Sequence, residues 1–309
     1  MSLRVAVLMG GPSAEAEVSR NSATQVAAAL EQQQHTIEKI ELDTNAAKAL
    51  EQFSPDVVFP ALHGPPGEDG TVQGFLEILG YQYVGSGVHG SAVAMDKSVA
   101  KQIFAEHDLP TLPDLVVSPG DSLSEAEEAI RTNWGPAVVI KPLNQGSAIG
   151  VTPLPNGGDI EAALETALQY GPCLVEPYLM GKEITVGVLE RDGELIPHPV
   201  IEIRTASDEW YDYENRYAAG QSEHVIPAPL SSETQSELQR IAVCAHQLLG
   251  LRDLSRADFI VTEEEKIALL EVNTLPGMTP TSLYPDGARH LGYEFDELMD
   301  LLVKQASLR

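Results

Sequence analysis

The residues best suited to chemistry lie near the C-terminal end of the chain, in the segment RADFIVTEEEKIALLEVN at 256–273. Two apolar runs flank a short acidic turn, a pattern that predicts a β-hairpin. Side chains alternate along a strand, so Arg256 and Asp258 share one side, and Glu271 shares a side with Asn273. Carboxylate and amide oxygens suit Mg²⁺ when phosphate oxygens complete its shell, and the arginine can hold an anion. The alternative explanation of this spacing is a solvated hairpin whose acidic side chains face water and bind no ligand.

A lysine followed by a glycine-rich loop could supply contacts to phosphate. In VVIKPLNQGSAIGV, residues 138–151, Lys141 ends a predicted strand and Gly146, Ser147 and Gly150 follow it. Glycine lets backbone amides approach an anion, and the lysine supplies a positive charge. The chain has no Walker A spacing, which excludes a P-loop protein. A tight hairpin with an exposed lysine is the alternative explanation.

Two further segments place candidate groups beside such a site. Asp96 is a predicted helix N-cap, so Lys97 falls in the first turn, where a cation opposes the helix dipole by up to about 1 kcal/mol unless it reaches a bound anion. A tolerated surface lysine is the alternative. Residues 207–224, SDEWYDYENRYAAGQSEH, fit neither helical nor strand periodicity. If this segment is a lid over a binding site, Arg216 and Tyr217 are the residues that it would direct toward the ligand. The alternative is a surface loop anchored by its aromatic side chains.

The remaining candidates follow from the predicted elements. Strand–helix–strand patterns over the first 80 residues predict a parallel sheet, with Glu15 and His63 just beyond the carboxyl ends of two strands. Ligands of open α/β sheets bind at that edge. Ser282 and Leu283 open a predicted helix, where backbone amides can bind a carboxylate. Glu183 begins a strand and indicates little by itself.

Composition narrows the class of protein. The chain has 309 residues and a net charge of −27 with only 19 basic residues, which argues against nucleic acid or an anionic membrane as a partner. This length predicts two or three subdomains with a ligand crevice between them. No segment is long and apolar enough to span a membrane. Cys173 and Cys244 lack metal-binding spacing, so we expect reduced thiols in a cytoplasmic protein.

Seven segments, in order along nearly the whole chain, together resemble the D-alanine:D-alanine ligases of the ATP-grasp superfamily. They are GGPSAEAEVS, ALHGPPGEDGTVQG, SGVHGSAVAMDK, VIKPLNQGSAIGV, YDYENRY, SRADFIV and LLEVNTLPGMTPTSLYP. The resemblance implies an α/β and α+β chain with the ATP-grasp fold. A Rossmann-like domain with a parallel sheet would occupy residues 1–86 and carry the first D-alanine and the dimer contacts. Two α+β subdomains, at 87–178 and 179–309, would clamp ATP, and the second would carry the lid, the metal ligands and the second D-alanine site.

The resemblance also implies a reaction and roles for individual residues. ATP would phosphorylate one D-alanine, and a second would attack the acylphosphate, for peptidoglycan precursor synthesis. Two Mg²⁺ or Mn²⁺ ions would bind Asp258, Glu271 and Asn273. The nucleotide would contact Lys97, Lys141, Ser147, Glu176, Glu183, Arg216 and Glu271. Glu15, His63, Arg256, Ser282 and Leu283 would bind the D-alanines, while catalysis would involve Glu15, Ser147, Tyr217, Arg256, the Gly277 amide and Ser282.

Three departures from the family pattern, and three alternatives, accompany this resemblance. Arg216 stands where a lid lysine is usual, Pro177 stands where a lysine commonly follows the hinge glutamate, and prolines alter the loop that carries Glu68. The chain would form a homodimer. A ligase for D-lactate or D-serine is the neighbouring alternative, against which Tyr217 argues. A non-catalytic nucleotide or amino-acid sensor is the alternative from another class, against which the complete set of metal ligands argues.

Overall fold

The computed structural model describes residues 2–205 and 222–309, and the first of its sheets is parallel. Strands pair in the order β2-β1-β3, as the strand–helix–strand pattern predicts. Strand β3 is buried along its whole length, which is typical of a parallel strand covered on both faces. The elements of this part are β1 (Arg4–Met9), α1 (Ala16–Gln32), β2 (Thr36–Glu41), α2 (Ala46–Phe53), β3 (Val57–Pro60) and α3 (Thr71–Leu79).

The second sheet is antiparallel, with four strands in the order β4-β7-β5-β6. Two amphipathic helices, α6 and α7, bury Ile130 and Leu164 against its apolar face, where Ile140 and Val175 lie. This core holds the strand that carries Lys141 at a fixed position. The elements are α4 (Val88–Met95), α5 (Lys97–Glu106), β4 (Leu115–Val117), α6 (Leu123–Trp134), β5 (Val138–Pro142), β6 (Thr152–Leu154), α7 (Ile160–Leu168) and β7 (Cys173–Pro177).

The third sheet is also antiparallel and contains the predicted hairpin. Its strands run β11-β10-β8-β12-β13, and β9 pairs with β8. Helices α5 and α8 pack on one face, where Phe104 and Ile241 contact the same core as Val186 and Phe259. The elements are β8 (Lys182–Arg191), β9 (Glu194–Pro197), β10 (Ile201–Thr205), β11 (Ser222–Val225), α8 (Ser232–Leu248), β12 (Leu254–Val261), β13 (Ile267–Asn273), α9 (Leu283–His290) and α10 (Phe295–Ala306).

The apolar cores cross the predicted domain boundaries. Helix α10 buries Leu298 and Leu302 against Val7 of strand β1 and Leu30 of helix α1. At the end of the chain, Arg309 donates to the buried Asp253 carboxylate, with an Nη1–Oδ1 distance of 2.7 Å. The boundaries at residues 86 and 178 stay predictions. Across the described parts of the chain, no helix combines the length and apolar character that crossing a bilayer requires.

Candidate active site

The register of the hairpin brings its polar side chains to one face. Arg256 lies opposite Asn273, and Asp258 lies opposite Glu271. The register shifts just after Asp258, where Phe259 pairs with Leu269, so a β-bulge adjoins the acidic pair. Strand β12 also pairs with β8, which places Thr185 opposite Asp258.

Asp258 is the centre of this polar face. Its carboxylate accepts from Arg256 at both oxygens, Nε to Oδ1 at 2.9 Å and Nη2 to Oδ2 at 2.7 Å. Thr185 Oγ1 donates to Oδ1 at 2.6 Å, and Asn273 Nδ2 donates to Oδ2 at 2.9 Å. Four donors surround one half-buried carboxylate, so the solvated-hairpin alternative is wrong for this residue.

Lys97 joins the hairpin to the glycine-rich loop. Asp96 caps α5 by accepting from the Ser98 and Val99 amides. The Lys97 side chain is only 7% exposed, and its Nζ lies 2.7 Å from the Gln145 carbonyl oxygen and 3.3 Å from Glu271 Oε2. The surface-lysine alternative is therefore wrong.

Lys141 is also buried, against Glu176 on the neighbouring strand β7. Its Nζ lies 2.6 Å from Glu176 Oε2, and Lys101 contacts Oε1 of the same carboxylate. Burial opposes the charge on Lys141, but Glu176 and Glu271 raise its pKa above the ordinary value. Burial likewise opposes the charge on Glu176, but Lys141 and Lys101 lower its pKa. Both groups are therefore charged, and the exposed-lysine alternative is wrong.

Lys101 is a further candidate for a functional role, and sequence reasoning did not identify it. Its side chain is 3% exposed and lies 3.0 Å from Asp114 as well as against Glu176. The sequence shows only that Lys101 follows Lys97 by four residues, which places both on one face of α5 without indicating that this face is buried.

Glu15 and Ser147 meet where the N-terminal sheet faces the glycine-rich loop. Ser147 Oγ donates to Glu15 Oε1, and Glu15 is 2% exposed. Ser147 has a φ of +49°, in the left-handed region. A Cβ added to Gly146 would lie 3.5 Å from Glu15 Oε2 and 3.8 Å from Glu68 Oε2. The loop at Gly146 therefore lies beside both carboxylates, at a separation where a Cβ would make only ordinary van der Waals contact.

His63 lies on the same side of the site and is neutral. Its Nε2 lies 3.1 Å from Ser22 Oγ. Burial, together with the charge of Arg256, lowers the pKa of His63 to about 4. At neutral pH the imidazole therefore acts as a hydrogen-bonding group and supplies no positive charge.

Glu68 is a second buried carboxyl group beside Glu15. Its Oε2 accepts from the Gly64 amide at 2.7 Å. Burial, reinforced by the charge of Glu15, raises the pKa of Glu68 to about 8. The sequence indicated this residue only as part of a proline-altered loop; its proximity to Glu15 depends on tertiary structure.

The Glu68→Gln variant is expected to alter how stability depends on pH in the protein without ligands. An unfolded glutamate ionises near pH 4.5, whereas folded Glu68 ionises near pH 8. Glu68 therefore stabilises the fold less as pH rises through this window, by at most about 1.4 kcal/mol per pH unit. Thermal unfolding at pH 5.5 and 8.5 should show Glu68→Gln gaining stability relative to the unsubstituted protein at the higher pH. Glu106→Gln, at an exposed position of α5, is the matched control; an equal difference at both pH values would contradict the assignment.

The start of α9 forms the opposite end of the site. Ser282 precedes the helix and Leu283 is its first residue, so the first-turn amides have no partners within the helix. Thr279 N donates to Ser282 Oγ at 3.2 Å. A Cβ on Gly277 would lie 3.0 Å from Ser282 Oγ, so the backbone at 277 packs closely on the start of α9.

The other sequence candidates divide between strand β8 and the segment that is not described. Glu183 lies on β8 two residues before Thr185, so both side chains share the side that faces Asp258. Arg216 and Tyr217 lie outside the described residues. The strands on either side of that segment pair with each other, with Thr205 opposite Ser222.

The parallel N-terminal sheet and the two antiparallel α+β units together give the architecture of the class of ATP-grasp ligases. Solved structures agree with this class. The ATP complex of D-alanine–D-alanine ligase from Bacillus anthracis superposes with a TM-score of 0.83 at 29% identity, covering 100% of this chain and 98% of that one. VanG D-Ala:D-Ser ligase from Enterococcus faecalis gives 0.83 at 28% identity, covering 99% of this chain and 100% of that one.

Sequence comparison resolves the family within this class. The family model described as D-ala D-ala ligase C-terminus matches residues 103–304, and the model of the N-terminus matches 43–86. The D-alanine–D-alanine ligase of Pelotomaculum thermopropionicum is 42% identical over 99% of this chain and 97% of its own length. The chain belongs to the D-alanine–D-alanine ligase family and is an ATP-dependent carboxylate–amine ligase.

Proposed function

We propose that the cleft described above joins two D-alanine molecules into D-alanyl-D-alanine, with ATP converted to ADP and phosphate. A free carboxylate is a poor acyl donor, because direct attack by an amine would have to expel an oxide ion, which is a very poor leaving group. Transfer of the γ-phosphoryl group to the first carboxylate gives an acylphosphate, from which the amine of the second D-alanine displaces phosphate. The observation that carries the proposal is buried Lys97, which contacts both the glycine-rich loop and Glu271. Through these two contacts, Lys97 places the glycine-rich loop next to the acidic hairpin, and both are candidates for binding the ATP phosphates and their metal ions.

The nucleotide would lie between the second and third sheets. Lys97 and Lys141 would neutralise phosphate oxygens, and the loop amides beside Ser147 would hydrogen-bond to them. Glu176 lies on the strand that would face the adenine. Glu183, on the cleft side of β8, would accept from the ribose hydroxyls.

The donor atoms of the hairpin are chemically suited to Mg²⁺ or Mn²⁺, and two such ions would bind there. Asp258, Glu271 and Asn273 offer two carboxylates and an amide oxygen, which are hard ligands. Within the described residues no cluster of three His, Cys, Asp or Glu side chains forms a metal site by itself. ATP phosphates would therefore complete the coordination. When bound, the ions would neutralise charge that develops on the transferring phosphoryl group.

Glu15 and Arg256 would control the acyl centre. Glu15 would accept the ammonium of the first D-alanine, with neutral His63 near its carboxylate. The Arg256 guanidinium and the Gly277 amide would stabilise the oxyanion formed when the second amine attacks. Asp258 holds the guanidinium through Nε and Nη2, which fixes its orientation before substrate binds.

The N-terminus of α9 would receive the second D-alanine. The Leu283 amide and Ser282 would bind its carboxylate, as helix N-termini bind anions. This would leave the amine directed toward the acylphosphate. The Ser147–Glu15 contact would extend to Tyr217 in a closed lid, with Arg216 reaching the nucleotide, and the lid would exclude water from the acylphosphate.

Two further proposals concern the setting of the reaction. The product would serve peptidoglycan precursor synthesis, which is the role that the family resemblance implies. The chain would act as a homodimer through its N-terminal domain. Sedimentation at micromolar protein concentration would test the dimer.

Phosphate release with ATP, Mg²⁺ and D-alanine tests the proposed reaction. We expect release with D-alanine and none above background with L-alanine, together with a dipeptide product identified by mass. Omitting Mg²⁺ should abolish release. Faster release when D-lactate or D-serine accompanies D-alanine, with a mixed product, would instead support a ligase for another second substrate. Absence of release in every mixture would contradict the proposal and favour a sensor.

A further inference from the structure

The buried carboxylate of Glu176 has two lysine partners, of which the proposed function uses only one. Lys101 contacts Oε1, and Lys141 lies 2.6 Å from Oε2. The side chains of Glu176 and Lys101 are 2% and 3% exposed, so bulk water has little access to this pair. Asp114 lies 3.0 Å from Lys101 and supplies a second negative charge.

The two lysines differ in what lies around them. Lys141 ends β5 immediately before the glycine-rich loop, and Glu271 of the hairpin contributes to its electrostatic environment. Lys101 follows Lys97 by about one helical turn on α5, and its described ion-pair partners are Glu176 and Asp114. Lys141 is therefore placed to reach a phosphate, whereas Lys101 is placed to remain with Glu176.

An isolated buried carboxylate is strongly unfavourable. If Lys141 were the only counter-ion of Glu176, turning toward a phosphate would leave that carboxylate uncompensated. A second lysine on the other oxygen removes this penalty, because Glu176 keeps an ammonium partner throughout. Asp114 balances the remaining charge, giving two lysines and two carboxylates in the cluster.

We propose that Lys101 is a positioning residue that holds Glu176 and so releases Lys141 to bind nucleotide phosphate. This inference rests on the proposed function, in which Lys141 contacts ATP. Lys101 itself touches neither ATP nor D-alanine. It acts by setting how firmly Glu176 retains Lys141.

Steady-state kinetics of Lys101→Met test this role. The KM for ATP should rise about tenfold or more, because Lys141 becomes the sole counter-ion of Glu176. A hydrogen bond to a charged group commonly contributes enough free energy to change an affinity about tenfold. The kcat and the KM for D-alanine should change less than about threefold, since no interaction specific to the transition state is removed. Lys101→Arg keeps the charge in a larger, planar group, so it should restore part of the affinity for ATP that Lys101→Met loses. Gln102→Met, on the exposed face of the same helix, is the matched control.

A second background separates this role from a purely structural one. With Glu176→Gln already present, there is no carboxylate to hold, and adding Lys101→Met should change the KM for ATP less than about threefold. If Lys101 merely supports α5, the tenfold effect will persist in that background and kcat will fall as Lys97 is displaced; this result would overturn the proposal. Equal KM values for Lys101→Met and Gln102→Met would overturn it too.

Two outcomes remain interpretable whatever the single variant does. If Lys101→Met alone does not fold, the comparison of Glu176→Gln with the double variant, which lacks the buried carboxylate, decides the question. An unsubstituted chain that releases no phosphate with D-alanine contradicts the proposed function. An active chain whose KM for ATP is insensitive to Lys101 contradicts only this inference.

Discussion

The Asp258→Asn variant is expected to lose about 10²- to 10⁴-fold in kcat, because metal ions supply several kcal/mol of charge stabilisation in the transition state. An amide is a much weaker ligand for Mg²⁺ than a carboxylate. The fold should be affected far less, by about 1–3 kcal/mol, since the amide oxygen still accepts from Arg256 or Thr185. Turnover at saturating ATP and D-alanine, measured across a Mg²⁺ titration, and chemical unfolding would give both quantities.

The control for this variant is Asp192→Asn. Asp192 lies in the β8–β9 turn with its side chain 92% exposed, so its charge is removed far from the cleft. It should match the unsubstituted protein in turnover. Asp258→Asn turnover that returns to normal at saturating Mg²⁺ would show that Asp258 is not needed for metal-dependent chemistry.

The Arg256→Met variant is expected to lower kcat by about 10²- to 10³-fold, the usual consequence of removing one oxyanion donor. The methionine also leaves Asp258 without its bidentate partner, so a stability loss of about 1–3 kcal/mol should accompany the effect. The KM for ATP should change little, because in the proposed mechanism the guanidinium acts at the acyl centre and does not contact the nucleotide. Rapid-quench measurement of ADP and dipeptide would distinguish a slow attack on the acylphosphate from slow phosphoryl transfer.

Two comparisons give this second prediction its specificity. Arg256→Lys keeps the charge but loses the fork that engages both Asp258 oxygens, so it should recover only part of the activity. Arg131→Met, at a half-exposed position on α6, should behave as the unsubstituted protein. An Arg256→Met enzyme with a normal kcat and a raised KM for ATP would assign the arginine to the nucleotide instead.

The hairpin shows how much alternation along a strand predicts. Two-residue spacing alone put Arg256 with Asp258 and Glu271 with Asn273, and the observed register brings both pairs together. This alternation does not predict which partner each side chain contacts. The Arg256–Asp258 ion pair depends on side-chain rotamers within a packed sheet. Thr185, which also contacts Asp258, lies on strand β8, 73 residues earlier in the chain.

Burial is what the sequence could not supply at the lysines. Lys97 and Lys141 each had a surface alternative, which the structure contradicts because both are largely buried beside carboxylates. Lys101 was missed for the same reason: an (i, i+4) pair of lysines on a helix usually indicates a solvated face. Only the fold shows that this face of α5 points into the cleft between two sheets.

Oxygen transfer tests the central claim most directly, since phosphorylation of a carboxylate leaves a specific isotopic record. D-alanine carrying ¹⁸O in both carboxyl positions would be incubated with the protein, ATP and Mg²⁺ in unlabelled water. Attack by the second amine breaks the bond between the acyl carbon and the bridging oxygen, so each released phosphate should contain one ¹⁸O atom. Phosphate of this mass, formed in equal amount with D-alanyl-D-alanine, is the predicted result. Unlabelled phosphate would mean that water, and not the D-alanine carboxylate, accepts the phosphoryl group, and would contradict the account.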